Sequence, residues 1–176
     1  MMYVSIQKKD DILIDNNISF PKNITRNESK KAYSLLKKMM KEVGFVFDIS
    51  KIKIADNGKP YFIDNRIKFN YSHSNHYIAC VISDFEVGVD IEDDFKISEE
   101  AACLYLNNSS FNLRYQWVMK EAYFKLKGDF SDDEFKKIRA DDINLFHHII
   151  EKDDYLSIVF CEKDDDISVL FDIKML

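Results

Sequence analysis

The stretch Val87-Gly88-Val89-Asp90-Ile91-Glu92 alternates apolar and polar residues with a period of two. Such alternation marks a half-buried β-strand, with Val87, Val89 and Ile91 on one face and Asp90 and Glu92 together on the other. The same period runs upstream through 45–92. Lys51-Ile52-Lys53-Ile54 alternates, Asp56-Asn57-Gly58-Lys59-Pro60 has the composition of a turn, and strands are predicted at 61–63, 67–70, 77–82 and 87–91. Downstream the pattern becomes helical. A weak helix is expected near 98–106, a strong one over 111–127 with Ser110 as its cap, and a short one over 131–138, where Ser131 and Glu134 form a capping box. The tail reads as a meander of strands near 145–150, 155–161 and 167–173. Before the first turn, short alternating segments lie at 3–6 and 11–14. A helix over 27–43 then carries a Thr25/Glu28 capping box, an apolar stripe of Tyr33, Leu36, Met40 and Val43, and Gly44 as its stop. Helix plus strands, twice over, makes an α+β fold.

Bulk properties narrow the function. The 176 residues suffice for one globular unit or two small lobes, and 46% hydrophobic with 14% aromatic residues supply its core. No apolar run approaches the roughly 20 residues of a membrane span. The first residues lack the basic start and long apolar stretch of a secretory leader, so the expected location is cytoplasmic. A net charge of −6 argues against general nucleic-acid binding. Cys80, Cys103 and Cys161 form no Cys-x-x-Cys pair and are expected as buried reduced thiols. Asp153-Asp154 and Asp164-Asp165-Asp166 suit hairpin turns and lack the spaced ligands of a calcium loop.

Three of the four glycines fall in or beside short blocks rich in hard oxygen ligands, Lys and one His. Asp90 and Glu92, sharing a face, repel each other unless a cation lies between them; taken alone, the pair also suits a solvated strand edge. In the strong helix, Trp117, Lys120, Glu121, Phe124 and Lys125 share a side through i, i+3 and i+4 spacing. Glu121 could add a third carboxylate to a metal held by Asp90 and Glu92, with Lys120 and Lys125 as phosphate counter-charges. The bland alternative is a surface Glu121–Lys125 pair with Trp117 as a core anchor. Ser72-His73-Ser74, after the strand at 67–70, suits phosphate binding through imidazole, hydroxyls and the amides of a tight loop. No Gly-x-Ser-x-Gly elbow supports a catalytic serine. The helix over 27–43 also shows a basic face of Lys30, Lys31, Lys37, Lys38 and Lys41.

In order and wording, Gly58-Lys59-Pro60, Phe69-Asn70 with Ser72-His73-Ser74, Gly88-Val89-Asp90-Ile91-Glu92, and Trp117 with Lys120-Glu121-Ala122, Lys125 and Gly128 resemble the motifs of the 4′-phosphopantetheinyl transferase superfamily. The resemblance is to its larger, monomeric, surfactin-synthetase-activating (Sfp-like) type and covers 58–128. It implies an enzyme that moves the phosphopantetheine arm of coenzyme A onto a serine of an apo acyl or peptidyl carrier protein and releases adenosine 3′,5′-bisphosphate. It implies Mg²⁺, with Mn²⁺ as an alternative, bound by Asp90, Glu92 and Glu121. Lys59, Pro60, Ser72, His73, Lys120, Lys125 and, near the N-terminus, Lys31 would hold coenzyme A. Glu121, Lys125 and Asp90 would be the catalytic group, with Glu121 or a metal-bound water as base. It further implies two α/β lobes related by pseudo-twofold symmetry, each a small, mostly antiparallel sheet on a long helix, here 1–86 and 87–176, with coenzyme A between them. The chain departs from the pattern in being shorter before Gly58 and between Glu92 and Trp117. Two other classes remain: a non-catalytic coenzyme A-binding protein, and a metal-dependent phosphodiesterase or nuclease, which the acidic charge disfavours.

Overall fold

The computed structural model describes residues 1–64, 66–106, 109–128, 131–152, 154–163 and 167–169. Asp153, the Asp164-Asp165-Asp166 cluster and the 170–173 portion of the predicted tail strand lie outside them. The chain opens with β1 (Met2–Lys8) and a 3-10 turn at Lys9–Asp11, and the second alternating segment, 11–14, forms no strand. It continues through α1 (Asn27–Glu42), a short hairpin of β2 (Ile52–Ile54) and β3 (Pro60–Phe62), then β4 (Lys68–His73), β5 (Tyr77–Ser83) and β6 (Val87–Glu92). After α2 (Glu99–Tyr105), α3 (Leu113–Lys127) and α4 (Asp132–Lys137) come β7 (Phe146–Lys152), β8 (Tyr155–Cys161) and β9 (Ile167–Val169).

The architecture is mixed α+β, with small antiparallel sheets and helices. One sheet has the order β4-β5-β1-β9, antiparallel except where β9 runs parallel to β1; the other is antiparallel, in the order β6-β8-β7. The tail is therefore not a meander, because its third strand joins the first sheet. Period-two alternation turns into layers. Ile78, Cys80 and Ile82 of β5 and Phe69 of β4 pack on Leu35, Leu36 and Met39 of α1. The opposite face of that sheet, with Met2, Val4, Ala79 and Val81, meets Val87, Val89, Ile91 and Val159 of the second sheet. The far face of the second sheet, with Leu156, Ile158 and Phe160, packs on Val118, Met119, Ala122 and Leu126 of α3. The result is a helix–sheet–sheet–helix stack with three apolar seams.

Local signals shift at the helix starts. α1 begins after Arg26 with no side-chain cap, so the Thr25/Glu28 box is not formed. α3 is capped by Asn112, whose side chain accepts from the Tyr115 amide, while Ser110 bonds Asp141 instead. Ser131 does cap α4. Cys80 and Cys161 are buried, whereas Cys103 is exposed on α2. Among the described residues no helix is long and apolar enough to cross a membrane.

Candidate active site

β4 and β6 are edge strands of different sheets that lie against each other, and the site is built where they meet. β4 runs through Ser72 and His73, so these residues belong to the strand and not to a loop after it. Alternation then sends them to opposite faces. Phe69 and Tyr71 pack toward α1, and His73 shares their parity. Asn70, Ser72 and Ser74 form a buried polar row on the other face. The Asn70 side-chain oxygen accepts from the Val89 amide at 3.1 Å, satisfying a backbone donor of β6, and Ser72 Oγ donates to Asp90 Oδ1 at 2.7 Å.

On β6, Gly88 and Asp90 turn toward α3. A Cβ built on Gly88 would lie 2.2 Å from the Ala122 carbonyl oxygen and 2.3 Å from the Leu126 amide nitrogen. The missing side chain therefore lets α3 approach close enough for Lys125 Nζ to reach Asp90 Oδ1 at 2.5 Å and Ser72 Oγ at 2.8 Å. Ser157 Oγ fixes the Asp90 backbone by donating to its carbonyl at 2.8 Å. Arg114 donates to the Glu92 carbonyl at 2.5 Å and ties the first turn of α3 to the end of β6.

The electrostatics follow from crowding acids around one ammonium. Burial by itself would lower the pKa of Lys125, but Asp90 and then Glu121 outweigh it and hold the ammonium above its ordinary value. Glu121 Oε2 lies 3.9 Å from Lys125 Nζ, and burial raises the Glu121 pKa against the pull of Lys125, with Asp90 adding to the rise. Glu92 is pushed up to about 7, first by burial and then by Asp90. Asp90 Oδ2 is buried without a hydrogen-bond partner. Among the described residues no cluster of three or more His, Cys, Asp or Glu is gathered tightly enough to hold a metal by itself. Mg²⁺, however, keeps several waters and takes one or two carboxylates together with substrate phosphates. An unpartnered carboxylate oxygen, with two further carboxylates whose ionised forms are disfavoured, fits that demand.

Other residues expected at the site have different partners. Lys59 Nζ donates to the Leu126 carbonyl and pairs with Glu86, and Pro60 opens β3 opposite Ile54. The Lys120 side chain is buried, donates to the Tyr105 carbonyl at 2.5 Å and lies 4.7 Å from the Phe135 ring centre. Burial pushes its pKa down to about 8. Lys31 Nζ donates to the Lys9 carbonyl at 2.5 Å. The His73 ring remains solvent-accessible; desolvation and then Lys9 lower its pKa, with Lys125 and Arg26 acting the same way against Glu28. Lys9 and Arg26 thus lie near His73, with Glu28 partly offsetting them, and sequence reasoning missed Lys9. Asn70 and Arg114 were also missed. The period-two row Asn70, Ser72, Ser74 was the available signal for the first, whereas nothing local marks Arg114.

Two sheets thus meet along β4 and β6, with Asp90 and Glu92 on one strand and Glu121 and Lys125 on the helix packed against it. The chain is 38% identical over 84 residues to the 4′-phosphopantetheinyl transferase gsp of Aneurinibacillus migulanus, covering 40% of this chain and 35% of the relative. It is 31% identical over 97 residues to a Haemophilus influenzae protein provisionally named a 4′-phosphopantetheinyl transferase, covering 46% of this chain and 41% of that relative. The chain therefore spans well under half the length of these curated relatives. No family profile matches it. Both relatives carry the name of the 4′-phosphopantetheinyl transferase superfamily, the superfamily this chain resembles.

Proposed function

We propose that the chain transfers the 4′-phosphopantetheine arm of coenzyme A to a serine of an acyl or peptidyl carrier protein, with Mg²⁺, and releases adenosine 3′,5′-bisphosphate. The observation that carries this reading is the buried Lys125–Asp90–Ser72 triangle, in which Asp90 Oδ1 is held and Asp90 Oδ2 has no partner. In this reading coenzyme A lies between 1–86 and 87–176. Its pyrophosphate meets Lys125 and Ser72, and its nucleotide phosphates meet His73, Lys9, Arg26 and Lys31.

Asp90, Glu92 and Glu121 would hold the cation, which supplies charge neutralisation to the pyrophosphate oxygens. The carrier serine oxygen attacks the phosphorus that bears pantetheine, and the bond from that phosphorus to the bridging oxygen breaks. The serine proton passes to the Glu121 carboxylate, which lies beside the Lys125 ammonium. The departing electron pair stays on the adenosine 3′,5′-bisphosphate oxygen, with the Lys125 ammonium beside it as counter-charge. Ser72 and Asp90 hold that ammonium in one position, so its orientation is set before substrate arrives.

The test is intact-mass analysis of a panel of apo-carrier domains incubated with the protein, coenzyme A and Mg²⁺. A gain of one phosphopantetheine arm on any carrier is the expected result. Binding of coenzyme A without modification of any carrier would replace transfer by the non-catalytic reading.

A further inference from the structure

The Asn57-Gly58-Lys59 turn reaches across the molecule to the C-terminus of α3. Gly58 takes a φ of +85°, its amide donates to the Ala55 carbonyl at 2.8 Å, and Asn57 Oδ1 accepts from the Lys59 amide at 3.0 Å. The turn is thereby rigid and aims two side chains at one target. Asn57 Nδ2 donates to the Gly128 carbonyl at 2.5 Å, and Lys59 Nζ donates to the Leu126 carbonyl at 3.0 Å. The last carbonyls of a helix have no partner within it and carry its negative dipole end, so an amide donor and an ammonium suit them. Gly128 completes the fit. Its φ of +71° turns the chain out of the helix, and a Cβ there would lie 2.6 Å from Asn57 Nδ2. Glu86 holds the Lys59 ammonium at 2.9 Å and Lys68 at 2.8 Å, anchoring the clamp to the residue just before β6.

We infer that Asn57 and Lys59 are positioning residues: they clamp the last turn of α3 and thereby set Lys125 and Glu121 against Asp90. Lys125 lies one residue before the carbonyl that Lys59 holds. Loosening that turn moves the ammonium off Asp90 and Ser72 without removing any group that touches substrate. The catalytic consequence rests on the transfer reaction proposed above; the clamp itself does not.

Two readouts separate clamp from ligand contact. Amide hydrogen exchange across Phe124–Gly128 is compared in the full chain for wild type, Lys59→Met, Lys59→Arg and Asn57→Ala. Transfer kinetics follow with coenzyme A and with 3′-dephospho-coenzyme A. Lys59→Met and Asn57→Ala are expected to speed exchange in this turn and to cut kcat about tenfold or more with a smaller change in KM. The preference for coenzyme A over its dephospho form stays as in wild type, and Lys59→Arg recovers much of the loss. Unchanged exchange in both Lys59→Met and Asn57→Ala overturns the clamp. A rise confined to KM, with loss of discrimination against the dephospho form, makes Lys59 a nucleotide contact instead. Wild type that modifies no carrier removes the transfer reading, and the exchange result then decides the clamp alone.

Discussion

Lys125 is the residue on which the site turns. Its side chain is 19% exposed and that of Asp90 5%, so the pair has left most of its water behind. Removing one partner strands the other. Lys125→Met is expected to lower stability by about 2–3 kcal/mol, read as a shift of the urea midpoint at constant slope. Adding Asp90→Asn recovers part of that loss, and strictly additive losses would deny the coupling. Asp93 makes a different kind of contribution. Its carboxylate accepts from the amides of Asn75 at 3.1 Å, His76 at 2.7 Å and Asp94 at 2.8 Å, and meets His76 Nδ1 at 2.8 Å. Burial acts to raise its pKa, but these donors together hold it at about 2 against an ordinary 3.8. A depressed folded pKa gives stability that is complete above the unfolded value and is lost as pH falls from 3.8 toward 2. Asp93→Asn should therefore unfold about 2 kcal/mol more easily than wild type at pH 7, a gap that closes near pH 2. A gap independent of pH would contradict this account.

Between elements, contact distance governs function. β6 and α3 touch backbone to backbone at Gly88, and Gly88→Ala must push α3 outward by more than a flexible side chain could absorb. The expected cost is at least ~2 kcal/mol, with transfer falling more steeply than stability because Lys125 leaves Asp90. A thermal melt and carrier labelling on the same sample test both. The strands and helices themselves were legible from period alone, since β5, β6, β8 and α3 follow their apolar patterns closely. The carboxylate face of β6 was legible for the same reason. Sequence reading failed where partners come from far along the chain. Ser72-His73-Ser74 resembled a loop because its polar residues hid a continuing strand, whose buried face is polar only because β6 and Lys125 complete it. Nothing local reveals that a helix end and a Tyr105 carbonyl hold the ammonium groups of Lys59 and Lys120. The meeting of Arg114 with Glu92 depends on how α3 docks, which no spacing encodes.

At the scale of the whole molecule, the middle apolar seam makes the two sheets interdependent. Met2, Val4, Ala79 and Val81 have as their apolar neighbours Val87, Val89, Ile91 and Val159, so separating the sheets would expose both faces. The single Trp, Trp117 on α3, and the far-UV signal of the whole chain are expected to report one coincident unfolding transition. Two separated midpoints would show the layers to be independent. The parallel pairing of β9 with β1 joins residues 2–4 to residues 167–169. During synthesis, residues 2–4 gain this neighbour only after residues 5–166 have been made. The order of emergence from the ribosome therefore leaves that edge of β1 without β9 until the intervening residues have followed. Protection of that edge, by β5 pairing on its other side or by a chaperone, becomes a requirement of biogenesis and not of the finished fold.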